Sequence, residues 1–253
     1  ARAVRQGKRT TTGLQTFSTP SLGAQPKAAI LIHNRALDGD PRSDAITTIG
    51  FTDGTSSRSV GISVDDNENP SDTRRSRGTS ALAIPSGTGE TISGQANFSK
   101  FLWNALELDW VATTSDAEFI TATLLGGLGF QAKVVDVSPS AALNGTVTVT
   151  GIPFMPDQIF VIAADGSFGS PAAEAGSRMC VGFASRGTGT TVQYQGSYAV
   201  AHTDALSASS SAVCANSDTS CSRRLTTDGS GNAVLGAGYE VTAFTSDGFT
   251  VKT

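Results

Sequence analysis

Charge is scarce in this chain. Only 16% of its 253 residues are Asp, Glu, Lys or Arg, which excludes the long periodic Glu/Lys/Leu/Ala runs of a helical bundle. Histidine is nearly absent, with His33 and His202 alone. Neither supplies a recognisable base: His33 follows an apolar run, His202 lies in SYAVAHTDAL beside Asp204, and no G-x-S-x-G elbow accompanies the many serines. Both histidines read as packing or surface residues, and the chain is not expected to be an enzyme. No apolar run approaches the ~18 residues of a bilayer span, and the basic start leads into TTTGLQTF rather than an apolar signal segment. No membrane partner is expected.

Cysteine is also sparse. Cys180, Cys214 and Cys221, with two distant histidines, fit no zinc-ligand pattern. Cys180 reads as a small buried thiol in the apolar run SRMCVGFA, while Cys214 and Cys221 bracket ANSDTS and close it as a disulfide if their side chains face each other. Two acidic clusters, Asp38/Asp40/Asp44 and Asp65/Asp66/Glu68, offer oxygen ligands but lack the EF-hand spacing with its glycine and terminal Glu. They read as solvated loops. Metal and cofactor are both expected to be none.

The net charge of −4 and pI near 5.1 argue against general nucleic-acid binding. The exception is the start, ARAVRQGKRT, where Arg2, Arg5, Lys8 and Arg9 crowd together. This stretch, residues 1–9, reads as a mobile or docking arm for a neighbouring acidic surface, with nucleic-acid contact as the second reading.

What the chain has is glycine, 28 of them, with abundant Ser, Thr and Val. That composition predicts an all-β protein rich in turns. Short strands are predicted at Thr10–Phe17, Ala28–Ile32, Ile46–Phe51, Ser57–Val64, Thr79–Ile84, Gln95–Phe101, Ala105–Val111 and Glu118–Leu125. Asp53-Gly54 marks a hairpin, and the polar run from Asp65 to Arg77 reads as an exposed loop. Trp103, Trp110, Phe98 and Phe101 alternate with polar residues and read as core rather than a sugar-stacking platform.

A second, degraded copy of the same pattern follows. PKAAILI with IGFTDGTSSRSV returns as PDQIFVI with VGFASRGTGTTV: Pro26 matches Pro156, Ile30 Phe160, Ile32 Ile162, Gly50 Gly182, Phe51 Phe183 and Val60 Val192. Upstream, Thr12-Gly13-Leu14 lies opposite Thr150-Gly151-Ile152, with Phe17 near Phe154. Downstream, Asp72, Arg74 and Arg75 of SDTRR return as Asp218, Arg223 and Arg224. Phe98, Phe101, Leu106 and Leu108 match Val241, Phe244, Phe249 and Val251. The repeat predicts two tandem antiparallel β-sandwich, jelly-roll-like modules related by internal duplication: module 1 over 10–127, a linker over 128–144 whose Lys133–Val137 can pair at an edge, and module 2 over 145–253. The given sequence has nothing in the second module matching Glu118–Gly127; a sequence that stops short of the chain's real end, processing of that end, or a strand supplied by a neighbour each accounts for this, the first being preferred, and an open sheet edge invites pairing.

The succession TTGLQTF, PKAAILI, the GFTDG hairpin, SDT-R-R and LLGG, followed by a second copy, resembles a tandem β-module of virion structural proteins in tailed bacteriophages. The resemblance implies a structural or accessory protein of the virion, on the head, tail or fibres. It would act by assembly with capsid or tail proteins and as a homo-oligomer. The repeated arginine loops either stiffen the fold through ion pairs or bind a neighbour's carboxylates. A carbohydrate-binding or host-adhesion module, reading a host-surface glycan, is the alternative.

Overall fold

The computed structural model of the chain describes residues 1–35, 45–65, 72–86, 90–114, 118–138, 140, 142, 144–164, 172–202, 212–227 and 232–253. Runs of alternating apolar and small polar residues build strands throughout. Among the described residues there is no α-helix, only a 3-10 turn at Pro20–Leu22.

In chain order the strands are β1 (Arg2–Gly7), β2 (Gly13–Ser18), β3 (Pro26–Asn34), β4 (Ala45–Thr52), β5 (Ser57–Val64), β6 (Thr73–Gly78), β7 (Leu82–Pro85), β8 (Ile92–Leu102), β9 (Ala105–Ala112) and β10 (Phe119–Gly126). They continue as β11 (Thr146–Val149), β12 (Gln158–Ala163), β13 (Ala172–Ala175), β14 (Ser177–Arg186), β15 (Val192–His202), β16 (Ala212–Ser217), β17 (Ser222–Thr227), β18 (Ala233–Thr245) and β19 (Gly248–Lys252). Two compact units result, Ala1–Val135 with Gly166–Ser177, and Asp136–Asp165 with Arg178–Thr253.

The first unit is a sandwich of a seven-stranded sheet, β1-β10-β3-β4-β5-β6-β13, and a four-stranded sheet, β2-β9-β8-β7. One core joins them: Leu31, Ile46, Ile120, Ala122 and Leu124 from the larger sheet meet Phe17, Leu82, Ile84, Leu106, Leu108 and Trp110 from the smaller. The period of two explains the choice, since Ile120, Ala122 and Leu124 of FITATLLG point inward while the intervening residues do not. Each large buried side chain contributes roughly 1.5–3 kcal/mol. The hairpin between β4 and β5 turns at Gly54, whose φ of 85° suits glycine.

The second unit pairs the sheets β12-β14-β15-β16 and β11-β19-β18-β17. Strand for strand these orders match β3-β4-β5-β6 and β2-β9-β8-β7 of the first unit. Registers match too. Phe98 faces Leu108 and Phe101 faces Leu106, as Val241 faces Val251 and Phe244 faces Phe249. Both ladders slip at the same point, between Phe98 and Lys100 and between Val241 and Ala243. Ile30 faces Phe51 and Leu31 faces Gly50, as Phe160 faces Phe183 and Val161 faces Gly182. Within the larger sheet of the first unit β3-β4-β5-β6 follow one another along the chain, flanked by the non-consecutive neighbours β10 and β13, and in the second unit β14-β15-β16 follow one another beside β12.

Several expectations change. The basic stretch at 1–9 is not a detached arm: Arg2–Gly7 is β1, paired along its length with β10. Phe17 faces Leu106 just as Val149 faces Phe249, and Gly13 faces Trp110 at the head of that ladder. Register therefore matches Phe17 to Val149, not to Phe154, and Gly13 falls opposite Gly145 rather than Gly151. Val60 sits mid-strand opposite Ile49, while Val192 opens β15. Arg74 and Arg75 lie in β6 rather than a loop. Arg223 and Arg224 lie in β17, the counterpart of β7, so the two arginine pairs hold different places in the fold. Lys133–Val137 is not a strand. It is held instead by Asp53, whose Oδ2 accepts from the Val134 amide at 2.8 Å and lies 3.5 Å from Lys133 Nζ. The acidic residues Asp38, Asp40, Asp44, Asp66 and Glu68 lie outside the described residues.

Candidate functional site

The charged residues singled out in the sequence are mostly engaged within their own unit. Lys8 is buried at the end of β1, where its Nζ donates to Thr113 Oγ1 and the Thr114 carbonyl, both at 3.0 Å, and lies 3.3 Å from Glu118 Oε2. His33, buried on β3, brings Nε2 to 3.1 Å from the same oxygen. Burial pushes the Glu118 carboxyl up, but the His33 contact and the Lys8 charge outweigh it and hold the group below its ordinary value. Three elements are thereby tied at one buried carboxylate. Arg2 donates to Ser21 Oγ, Arg5 stacks 4.2 Å over the Phe119 ring, and Arg9 donates to the carbonyls of Thr11 and Leu14.

The arginines of β6 form a second system. Arg74 pairs with Asp72 at 2.6 Å. Arg75 and Arg77 each reach one oxygen of Glu174 at 2.6 Å, and Arg75 also donates to the Gly176 carbonyl. The hydrogen bond from Arg77 leads in holding the Glu174 carboxyl below its usual range. This fork fastens β13 onto the edge of β6, in register from Ala172 opposite Arg77 to Ala175 opposite Arg74. Sequence inspection missed Glu174 and Arg77 because nothing in AAEAG signals a strand.

In the second unit, the Arg223 amide donates to Cys180 Sγ, the stem of Arg224 lies against Gly236, and Asp218 lies in the turn after β16. The cysteines are free. Cys221 is inside the sandwich, donating to the Tyr239 carbonyl, while Cys214 is exposed on β16, so the expected disulfide is not formed. Burial pushes the Cys221 thiol up to about 11.

The apolar surface lies elsewhere than expected. Trp110, Phe98 and Phe101 do belong to or pack against the core, but Trp103 sits in the β8–β9 turn, 70% exposed. On the second unit the β12-β14-β15 sheet turns Cys180, Gly182 and Ala184 inward and therefore Phe183 outward. Phe160 stands opposite Phe183. The Phe183 ring reaches across to β15, 3.3 Å from where a β-carbon on Gly196 would stand, and Tyr194 and Tyr198 flank that glycine. Phe160, Phe183, Tyr194 and Tyr198 are 54%, 47%, 64% and 52% exposed. A cleft of about 850 Å3 opens at this sheet, lined by Ile159, Phe160, Phe183, Tyr194, Gln195 and Glu240 among others. In MCVGFA the aromatic falls on the alternation opposite to Cys180, Gly182 and Ala184, whereas QIFVIA is apolar on both faces and carries no such signal.

Among the described residues no group of His, Cys, Asp and Glu is placed to hold a metal ion, and no helix is long and apolar enough to cross a membrane. No family model matches the chain, and neither a curated protein nor a solved structure does.

Proposed function

We propose that the chain is a duplicated β-sandwich that serves as a structural or accessory component of a tailed-phage virion, on the head, tail or fibre, acting by assembly with other virion proteins and with its own copies. The duplication is supported by the shared strand order and by the matching ladder slips at Phe98/Lys100 and Val241/Ala243. The phage assignment rests on the resemblance of the GFTDG and SDT-R-R segments.

The observation that carries an assembly role is the aromatic row Phe160, Phe183, Tyr194 and Tyr198 on the outer face of one sheet. Large contiguous apolar surface marks interaction sites, and aromatic side chains are enriched where interfaces are most buried. The ion pairs of Lys8, Glu118, Arg75, Arg77 and Glu174 hold strands together and leave those groups to structural work.

The same row favours one further reading, a glycan platform, since sugar rings stack on exposed Tyr and Phe and the neighbouring Gln158, Gln193 and Glu240 offer polar partners. Mass spectrometry of gradient-purified particles from the source, alongside a glycan array probed with the protein and its Tyr194→Ala variant, separates the two. Stoichiometric presence in particles supports the virion role. Absence from particles with array binding that Tyr194→Ala abolishes replaces it with the glycan reading.

A further inference from the structure

In the first unit β3 has neighbours on both sides, β4 on one and β10 on the other. Leu124, Ala122 and Ile120 of β10 stand opposite Ala29, Leu31 and His33, and those three inward residues of β3 are 1%, 0% and 0% exposed. The matching strand of the second unit is β12, where Ile159, Val161 and Ala163 take the same inward positions opposite Ala184, Gly182 and Cys180. Here β14 lies on one side and, among the described residues, no strand lies on the other. Ile159, Val161 and Ala163 are all left partly exposed, and the large cleft opens at the start of this strand.

Sheet edges that are meant to stay free are blunted by charge, proline or bulges. The two edge strands of the seven-stranded sheet follow that rule, with Arg2 and Arg5 in β1 and Glu174 in β13. The segment Gln158–Ala163, QIFVIA, contains no charge, proline or glycine. The fold also accepts a strand from a distant part of the sequence, since β13 joins β6 by antiparallel pairing.

We propose that the free edge of β12 receives an extended strand from a partner polypeptide, laid antiparallel as β10 lies on β3. The incoming strand carries apolar residues at alternate positions, large-small-large as in Ile120, Ala122 and Leu124, which enter above Ala163, Val161 and Ile159. Its intervening residues are polar, as Thr121 and Thr123 are. Backbone hydrogen bonds supply the affinity and the alternate side chains the specificity. The proposal draws on the assembly reading only for who supplies the strand; the pairing itself is testable on the isolated protein.

The probe is a fluorescent peptide with the sequence of residues 118–127, added to the full chain and followed by anisotropy and by amide hydrogen exchange. The expected result is saturable one-to-one binding with slowed exchange over Gln158–Ala163. A scrambled peptide with its apolar residues made adjacent binds at least ten-fold more weakly. Val161→Lys, which places a charge on the inward row, reduces binding at least ten-fold; its melting curve reports whether it folds, and the exchange footprint on the unaltered chain decides the matter if it does not. Failure to saturate, equal binding of the scrambled peptide, or protection confined to other strands overturns the proposal. So does a native mass showing a dimer with Gln158–Ala163 already protected, because the occupant is then a second copy. Presence or absence of the protein in phage particles leaves each of these outcomes unchanged.

Discussion

The carbonyl oxygen of Ala81 lies 1.8 Å from where a β-carbon on Gly50 would stand. Gly182 has the same relation to the carbonyl of Cys221. In each unit the turn into the second sheet presses its backbone onto an inward glycine, and only a missing side chain allows that approach. Gly50→Ala and Gly182→Ala are each expected to lower stability by about 3 kcal/mol, the upper end of the usual cost of overpacking. Urea unfolding of the two variants checks this. A loss in only one would show that the close approach matters to one sandwich alone.

Acid should weaken the first unit through Glu118. Its carboxyl is held below its unfolded value, so its contribution is complete above the unfolded pKa, near 4.5, and is lost as pH falls through the lower folded value. Unfolding free energy measured between pH 7 and pH 3 should therefore decline at the acid end. Glu118→Gln, which removes the charge paired with buried Lys8 while leaving its bonds to Thr113 and Thr114, should cost about 3 kcal/mol at pH 7 and flatten that decline. An unchanged acid slope in the variant would assign the loss to other carboxylates.

Glu174 presents a milder case, because its side chain is 38% exposed and water screens the pair. Glu174→Gln should reduce global stability by no more than about 1 kcal/mol. Its effect should be local: amides of Ala172–Ala175 should exchange faster while β3 and β4 keep their protection. Uniform acceleration across the sheet would contradict a fork that fastens only β13.

The thiols should react in sequence. Cys214 is exposed, whereas Cys221 is buried with its thiol pushed up to about 11. At pH 8 a chromogenic disulfide reagent should titrate one cysteine quickly, Cys214, and reach Cys180 and Cys221 only on unfolding. Fewer than three thiols in the denatured protein would mean that a disulfide had formed after all.

Much of the fold was legible where periodicity and turn chemistry agree. Asp53-Gly54 located the β4–β5 hairpin, and Phe98 and Phe101 marked a ladder whose register matches the one at Val241 and Phe244. The misreadings have physical causes. RAVRQG and TRRSRG look like loops because their charges are satisfied through the fold, by Phe119 for Arg5 and by Glu174 for Arg75 and Arg77. Thr-Gly at 12–13 and at 150–151 invited an alignment by identity that the ladder rejects, since Val149 holds the place of Phe17. The outward row was the hardest part to see. Phe160 and Phe183 occupy positions equivalent to Ile30 and Phe51, and a string of letters does not say which face of a sheet is left uncovered.

One consequence of β13 concerns time rather than space. A ribosome that has just emitted Val135 has made every other strand of the seven-stranded sheet but not β13. Roughly 40 residues separate that moment from Ala175, which at about 5–20 residues per second is a delay of about 2–8 s. During it Arg75 and Arg77 stand without Glu174 on an open edge. The first sandwich is therefore completed by its own late segment, made only after the chain has entered the sequence of the second unit, and a chain interrupted in that interval carries an edge at β6 that β13 does not yet cover.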